Sequence, residues 1–298
     1  AFIAKAVYNF ETTDILIEYL HGCKNLRRLC GWECSSNVPS RATFSRAFAE
    51  FANGNLGRII HEAMIKEHCG DKLAGHISRD STAIKAREKP VKSKACKQKL
   101  PKRKPGRPRK GETVPEKPPK RLDLQPTRML EENLYDLPSQ CNVGTKKSSK
   151  GYKESWTGYK LHVDCIDGDI PVSAILTSAS LHDSQAAIPL AQMSAERITS
   201  LYDLMDAAYD APQIHSFSES LGHKPIIDNN PRRGEKIHMD PATHKRFGQR
   251  SSVERINSYL KDNYGGRNVR VRGAGKVMTH LMFGIIVIAG TQLFHLLA

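Results

Sequence analysis

The sequence predicts an α/β protein, a mixed sheet flanked by helices, preceded by a small helical domain and containing a basic disordered insertion. Three observations predict this. Apolar residues repeat at helical spacing before about residue 70; after it, short apolar runs bounded by turn signals alternate with helical stretches. Between the two, one long stretch is too rich in Lys, Arg and Pro to bury a core of its own. At 298 residues the chain can hold one large domain or two smaller ones. The division expected is a helical domain over 1–72 and an α/β domain over 73–298, with 85–140 as the insertion within it.

The first helices rest on apolar stripes. Leu16, Leu20 and Cys23 lie at i, i+4 and i+7, and Phe44, Phe48 and Phe51 repeat that spacing. Ser40, after Pro39, is a natural N-cap for the second helix. The turn GWECSSNVPS between them suits a helix-turn-helix with Arg41 and Arg46 on its second helix as DNA contacts. A helical hairpin that binds nothing has the same pattern.

Residues 76–84, HISRDSTAI, form a strand, after which composition changes abruptly. Between Lys85 and Arg121, 16 lysines and arginines face three glutamates, so most of the formal net charge of +15 lies in one segment. Its natural partner is a polyanion. Nucleic acid comes before a membrane surface, because the segment lacks the apolar face of an interfacial helix. Within it KPGRPRK, residues 104–110, resembles an AT-hook, whose Arg107 and Arg109 would enter the minor groove of A·T-rich DNA. A counterion-releasing phosphate contact reads the same residues without sequence preference.

Order returns at Trp156. Residues 156–166 and 170–177 read as a hairpin across the Asp167–Gly168 turn. A helix follows from Asp183 to about Arg197, then a strand at 201–206, a helix at 212–221 and a strand at 224–228. The last predicted helix before the tail runs from about His244 to Leu260. Three antiparallel strands followed by alternating strands and helices is the layout of a ribonuclease-H-like fold. The tail, 281–298, barely reaches the ~20 apolar residues of a bilayer span and is interrupted by Gly284, Gly290 and Gln292, so a buried closing helix is expected and no membrane partner. Seven cysteines without a CxxC pair point to reduced thiols and not to a zinc site. No arginine-flanked apolar leader opens the sequence, so no targeting signal is expected.

Phe247, Arg250, Glu254 and Lys261 carry the most specific signal. On an unbroken helix all four share one face. One carboxylate would then project between two cations, which suits a metal ligand flanked by groups that grip phosphate. This stretch, FGQRSSVERINSYLK, resembles the Tyr-(2)-Arg-(3)-Glu-(6)-Lys signature of bacterial insertion-sequence DDE transposases, with Phe247 in place of Tyr. RDSTAI at 79–84 resembles that family's first catalytic strand, DAAYD at 206–210 its second acidic strand end, and WTGYKLHVD at 156–164 its second strand. VPSRATFSRAFAEF, 38–51, is similar to the helical domain that precedes many of these catalytic domains.

The resemblance implies Asp80, Asp206 and Glu254 as catalytic residues and metal ligands, with Asp80 bridging two Mg²⁺ ions and Mn²⁺ able to substitute. It implies Arg250 and Lys261 as DNA contacts. Double-stranded DNA would be the partner, both element ends and target, and a homodimer would act on it in the bacterial cytoplasm, at the nucleoid. Asp164, Asp203 and Asp210 are near rivals for the acidic positions. His182–Asp183 reads as a metal pair or, preferably, as a helix N-cap at Asp183. Three functions remain in play: a transposase, a nuclease of the same fold that cuts without joining, and a catalytically silent DNA-binding regulator of transposase descent.

Overall fold

The computed structural model of the protein describes residues 1–91, 118–147, 151–231, 235 and 237–297. Five helices come first: α1 (Phe2–Val7), α2 (Thr13–Gly22), α3 (Lys24–Leu29), α4 (Arg41–Asn53) and α5 (Leu56–Cys69). Strand β1 (Leu73–Lys85) follows, then α6 (Arg121–Leu124), α7 (Leu130–Asp136), β2 (Asn142–Lys147), β3 (Lys153–Ile166) and β4 (Ile170–Ser178). The remainder is α8 (Ser184–Ala195), β5 (Thr199–Met205), α9 (Pro212–Ser220), β6 (Lys224–Ile227), α10 (Pro241–Phe247), α11 (Ser251–Asp262) and α12 (Ala274–Leu297).

The six strands form one mixed sheet in the order β2-β3-β1-β5-β6, with β4 also paired to β3. The long β3 takes β2 along its first half and β4 along its second. β1 lies antiparallel to β3 and parallel to β5, which is parallel to β6. Three antiparallel strands continued by parallel ones, with helices on the sheet, agree with the ribonuclease-H-like class expected from the sequence.

Thr12 and Ser40 cap α2 and α4 by accepting from the backbone N–H groups of Ile15 and Thr43. The first two predicted helices are thus present; α3 lies between them, ahead of the expected turn at 31–40, which holds a single 3₁₀ turn at Ser35–Asn37. The phenylalanine stripe of α4 is turned toward α1 and α12: Phe2 packs against Phe44, Phe48, Phe51 and Phe283. Arg41 pairs with Asp14 at 3.3 Å, and Arg46 lies on the exposed side of α4.

The tail is the helix that ties these parts together. By length and composition α12 could cross a membrane, but 61% of its most apolar window is buried inside the protein. It packs against α1, α4, α5, α11 and β4. Gly284 permits the approach to α11: a Cβ there would come within 2.6 Å of Leu260 Cδ1 and 2.8 Å of the Tyr264 carbonyl oxygen.

The stretch read as an insertion, 85–140, is more structured at its far end than its composition suggests. Leu130, Leu134 and Leu137, from α7 and just after it, pack on Leu190 and Met193 of α8, while Asn133 donates to the Gln125 carbonyl and the Gln192 side chain. The charge density that argued against folding lies upstream of these leucines. The hook-like 104–110, with Arg107 and Arg109, lies outside the described residues.

Three histidines, His61 and His162 fully buried and His280 half-buried, are held by hydrogen bonds inside the fold. His61 donates to the Pro171 carbonyl, His162 bonds Thr177 Oγ1, and His280 donates to the Gly265 carbonyl. Burial, above all, lowers each to about 4. Groups depressed in the folded state contribute stability above their unfolded value and lose it as pH falls. The unfolded chain takes up these protons first, beginning near pH 6.5. Asp80, raised to about 6, offsets only part of that uptake. The melting temperature should therefore fall as pH drops from about 7 toward about 4.5, and replacing His162 by Gln should flatten the decline; scanning calorimetry across that range checks it.

Candidate active site

The sheet register brings two aspartates side by side. β1 and β5 pair in parallel up to Arg79 opposite Met205, so the next residues, Asp80 and Asp206, leave the paired region together. Asp206 caps a single 3₁₀ turn, accepting from the Ala208 N–H at 2.9 Å. The third carboxylate comes from α11, which packs on β1 and β3 through its apolar face: Val253, Ile256 and Leu260 are all fully buried. Glu254, in the first turn of α11, is exposed beside that buried face.

The helix predicted over 244–260 is broken. α10 ends at Phe247, a 3₁₀ turn occupies Gly248–Arg250, and α11 starts at Ser251. Glycine is a poor helix former, and the tighter turn interrupts the α-helical pattern before α11. Phe247 therefore does not share a regular helix with Glu254, but Arg250 still reaches it. Its Nη1 lies 2.7 Å from Glu254 Oε1, and its Nη2 lies 3.3 Å from Asp80 Oδ1 and 3.7 Å from Asp206 Oδ2. One guanidinium thus collects all three carboxylates. Among the described residues no three Asp, Glu, His or Cys side chains form a ready metal cage. Asp80, Asp206 and Glu254 meet through Arg250.

The electrostatics arise from this packing. Burial pushes the Asp80 carboxyl up to about 6 against the pull of Arg250, and Asp206 and Asp183 add to the rise. Burial also raises Asp206, with Asp183 and Asp228 contributing. Burial works against the Arg250 cation, yet Asp80, Asp206 and Glu254 together hold its pKa above the ordinary value. Lys261 sits half-buried two turns beyond Glu254, its pKa lowered by burial and then by Lys146 and Arg267.

Two aspartates at the ends of adjacent strands and a glutamate on a covering helix form the acidic constellation that the local motifs suggested. The family model for the transposase DDE domain matches residues 73–289, which is most of the chain and begins at the first residue of β1. The chain belongs to this transposase family. No curated protein and no solved structure matches it.

The rival aspartates of the transposase are occupied elsewhere. Asp164 faces Arg79 across the β1–β3 pair and receives both Nε and Nη2 at 2.7 Å, with Ser194 Oγ donating to the same carboxylate. Asp203 accepts from His223 at 3.1 Å, and Asp210 bonds His215 and the Asn230 N–H. Asp183 stands at the N-cap position of α8 as expected, but its side chain makes no cap bond; it accepts from Lys160 Nζ at 2.9 Å instead. Asn257 carried no motif of its own in the sequence. It donates to Asp80 Oδ2 at 3.3 Å, and the one signal for it was its position three residues after Glu254, on the side of α11 that covers β1.

Arg79 and Asp164 are fully buried neighbours of the site. Removing one partner of a buried pair leaves an uncompensated charge, at a cost of about 3–5 kcal/mol. Arg79→Met should destabilise the transposase by that amount in urea unfolding, and the double change Arg79→Met, Asp164→Leu should recover most of the loss.

Proposed function

We propose that this transposase cleaves and rejoins phosphodiester bonds at the ends of its own insertion sequence, with Asp80, Asp206 and Glu254 as the metal-binding catalytic residues. The single observation that carries the reading is the convergence of these three carboxylates on Arg250, from two strand ends and one helix.

The donor set fits a hard divalent ion. All three side chains offer carboxylate oxygens, which suit Mg²⁺ or Mn²⁺, and no soft sulfur or imidazole joins them. Such ions, held by these carboxylates, would supply activation of the attacking oxygen and stabilisation of the leaving one. The chain's own residues do the rest. Asp80 is oriented by Asn257. Asp206 is held by its bond from Ala208. Arg250 is positioned to exchange carboxylates for a phosphate oxygen, and Lys261 offers a second cation along the same helix. Double-stranded DNA, both element ends and target, is the substrate, and a homodimer holding two ends would act on it at the nucleoid.

The decisive test is cleavage of a labelled duplex carrying the element's ends, with Mg²⁺ or Mn²⁺. Glu254→Gln keeps the size and removes the charge. It should bind the duplex as wild type does and lose activity by at least the ~100-fold that changes around a metal site cost. Joining of a free 3′-OH to target DNA supports a transposase, cutting without joining a nuclease, and binding without either a silent regulator.

A second measurement isolates the metal. Arg250 neutralises the three carboxylates, so Arg250→Met should be less stable than wild type near neutral pH without divalent ions. Added Mn²⁺ should raise the melting temperature of the variant more than that of wild type. Equal shifts would mean that these carboxylates do not hold the ion.

A further inference from the structure

A cleft of about 670 Å³ lies between the amino-terminal helices and the segment that joins α11 to α12. Its walls carry six cations, Lys5, Arg41, Arg87, Arg270, Arg272 and Lys276, against two carboxylates, Glu11 and Asp14. Both carboxylates are already engaged, Glu11 with Arg270 at 2.6 Å and Asp14 with Arg41 at 3.3 Å. Lys5, Arg87, Arg272 and Lys276 have no ion-pair partner among the described residues. They come from three separate elements: α1, the extension of β1, and the start of α12 with the residues before it.

Crowding of like charge in a half-buried cleft is unfavourable unless an anion enters. Its signature is present: burial, and then the charge of Arg270, bring Lys5 down to about 8. Burial lowers the pKa of the half-buried neighbour His280 to about 4, and the charge of Lys5 is among the causes. Phe2, Phe44, Phe48 and Phe283 form the floor, giving the cations a low-dielectric backing that strengthens their pull on an anion.

The cleft is joined to the candidate active site along the chain. Arg87 follows Asp80 on the same chain segment, and Tyr264 to Lys276 continue directly from α11, which carries Glu254. The end of α11, Asp262, lies eight positions after Glu254. At about 1.5 Å per residue that is roughly 12 Å of helix, or on the order of four base pairs of duplex, which carries a charge per ~1.7 Å of axis. Lys261 lies between the two places.

We propose that this cleft grips the phosphate backbone of the DNA flanking the cleaved bond, with Lys5, Arg87, Arg272 and Lys276 as its contacts. The proposal rests on the transposase reading above and adds a place and a set of residues to it. Contacts of this kind position the duplex and carry no sequence information. A duplex held here would touch the amino-terminal helices and the catalytic sheet at once.

The experiment measures binding of the full chain to two labelled duplexes, one with the element's ends and one scrambled, over a series of KCl concentrations. Arg272→Gln with Lys276→Gln should weaken binding to both duplexes alike and make the plot of log K against log salt shallower by roughly two, about 0.9 for each phosphate that is no longer neutralised. Arg87→Gln, on a different wall, should lower the slope by about one. The charge-keeping exchange Arg272→Lys with Lys276→Arg should retain the wild-type slope. Lys72→Gln with Lys224→Gln, at the opposite ends of the strands, should change nothing. Wild-type slopes in both cleft variants, in a protein that still binds and cuts, overturn the cleft proposal alone. Failure of wild type to bind either duplex overturns the transposase reading and the cleft with it.

Discussion

β1 carries an arginine and an aspartate in succession, and successive residues on a strand point to opposite faces of the sheet. Arg79 therefore faces α8 while Asp80 faces α11, so one short piece of backbone places opposite charges on the two sides of the sheet. Each charge is met by its complement. Arg79 is buried against Asp164, which Ser194 also bonds; Asp80 meets Arg250 and Asn257. The inner pair has little freedom, because its bidentate geometry and the Ser194 bond leave few unsatisfied positions on either partner. Fixing Arg79 fixes the orientation of Asp80, and through the parallel register it fixes where Asp206 leaves β5. The candidate site thus depends on a buried ion pair that takes no part in the proposed chemistry.

The outer face has the reverse character. Its carboxylates repel one another, and among the described residues the cation that reaches all three is Arg250, at the junction between a 3₁₀ turn and α11. A guanidinium and divalent ions compete for the same oxygens. The sequence position of the arginine makes that competition local: Arg250 and Glu254 are one helical turn apart, so a displacement of the guanidinium leaves the helix and its glutamate in place. The family assignment says that this chain is a transposase; the charge arrangement supplies a reason for its arginine and glutamate to be spaced as they are.

Much of this was legible in the sequence, and the parts that were not have a common cause. Strands at 76–84, 156–166 and 170–177 declared themselves as apolar runs ending in turn signals, and they form within a few residues of those limits. Asp80, Asp206 and Glu254 were each embedded in a distinctive local sequence, and the structure brings them to one arginine. Local patterns could not reveal long-range partners. Asp164 was a plausible rival until Arg79, 85 residues away, proved to engage it. Asp183 had the sequence of a helix cap, and only the folded chain brings Lys160 to its carboxylate. The break at Gly248 was hidden for a different reason: the polar and apolar spacing runs smoothly through it, and a single glycine inside a helical pattern is tolerated often enough to pass unnoticed. The helix α7 was missed because a few leucines were averaged into a strongly basic stretch.

The same long-range logic extends to the tail. This apolar helix does more than close a core: α12 touches the phenylalanine cluster of the amino-terminal helices at one end of its contacts and Leu260 of α11 at another. Gly284 is where the second contact is closest. α12 therefore couples the position of α11, and with it Glu254, to the position of α1 and α4. The charged cleft lies over this helix, with His280 and Phe283 among its lining residues. A force applied by a bound polyanion on the cleft walls would be transmitted to α11 through packed side chains and not through a flexible linker. The carboxylate set and the proposed DNA cleft are both referred to the same buried helix.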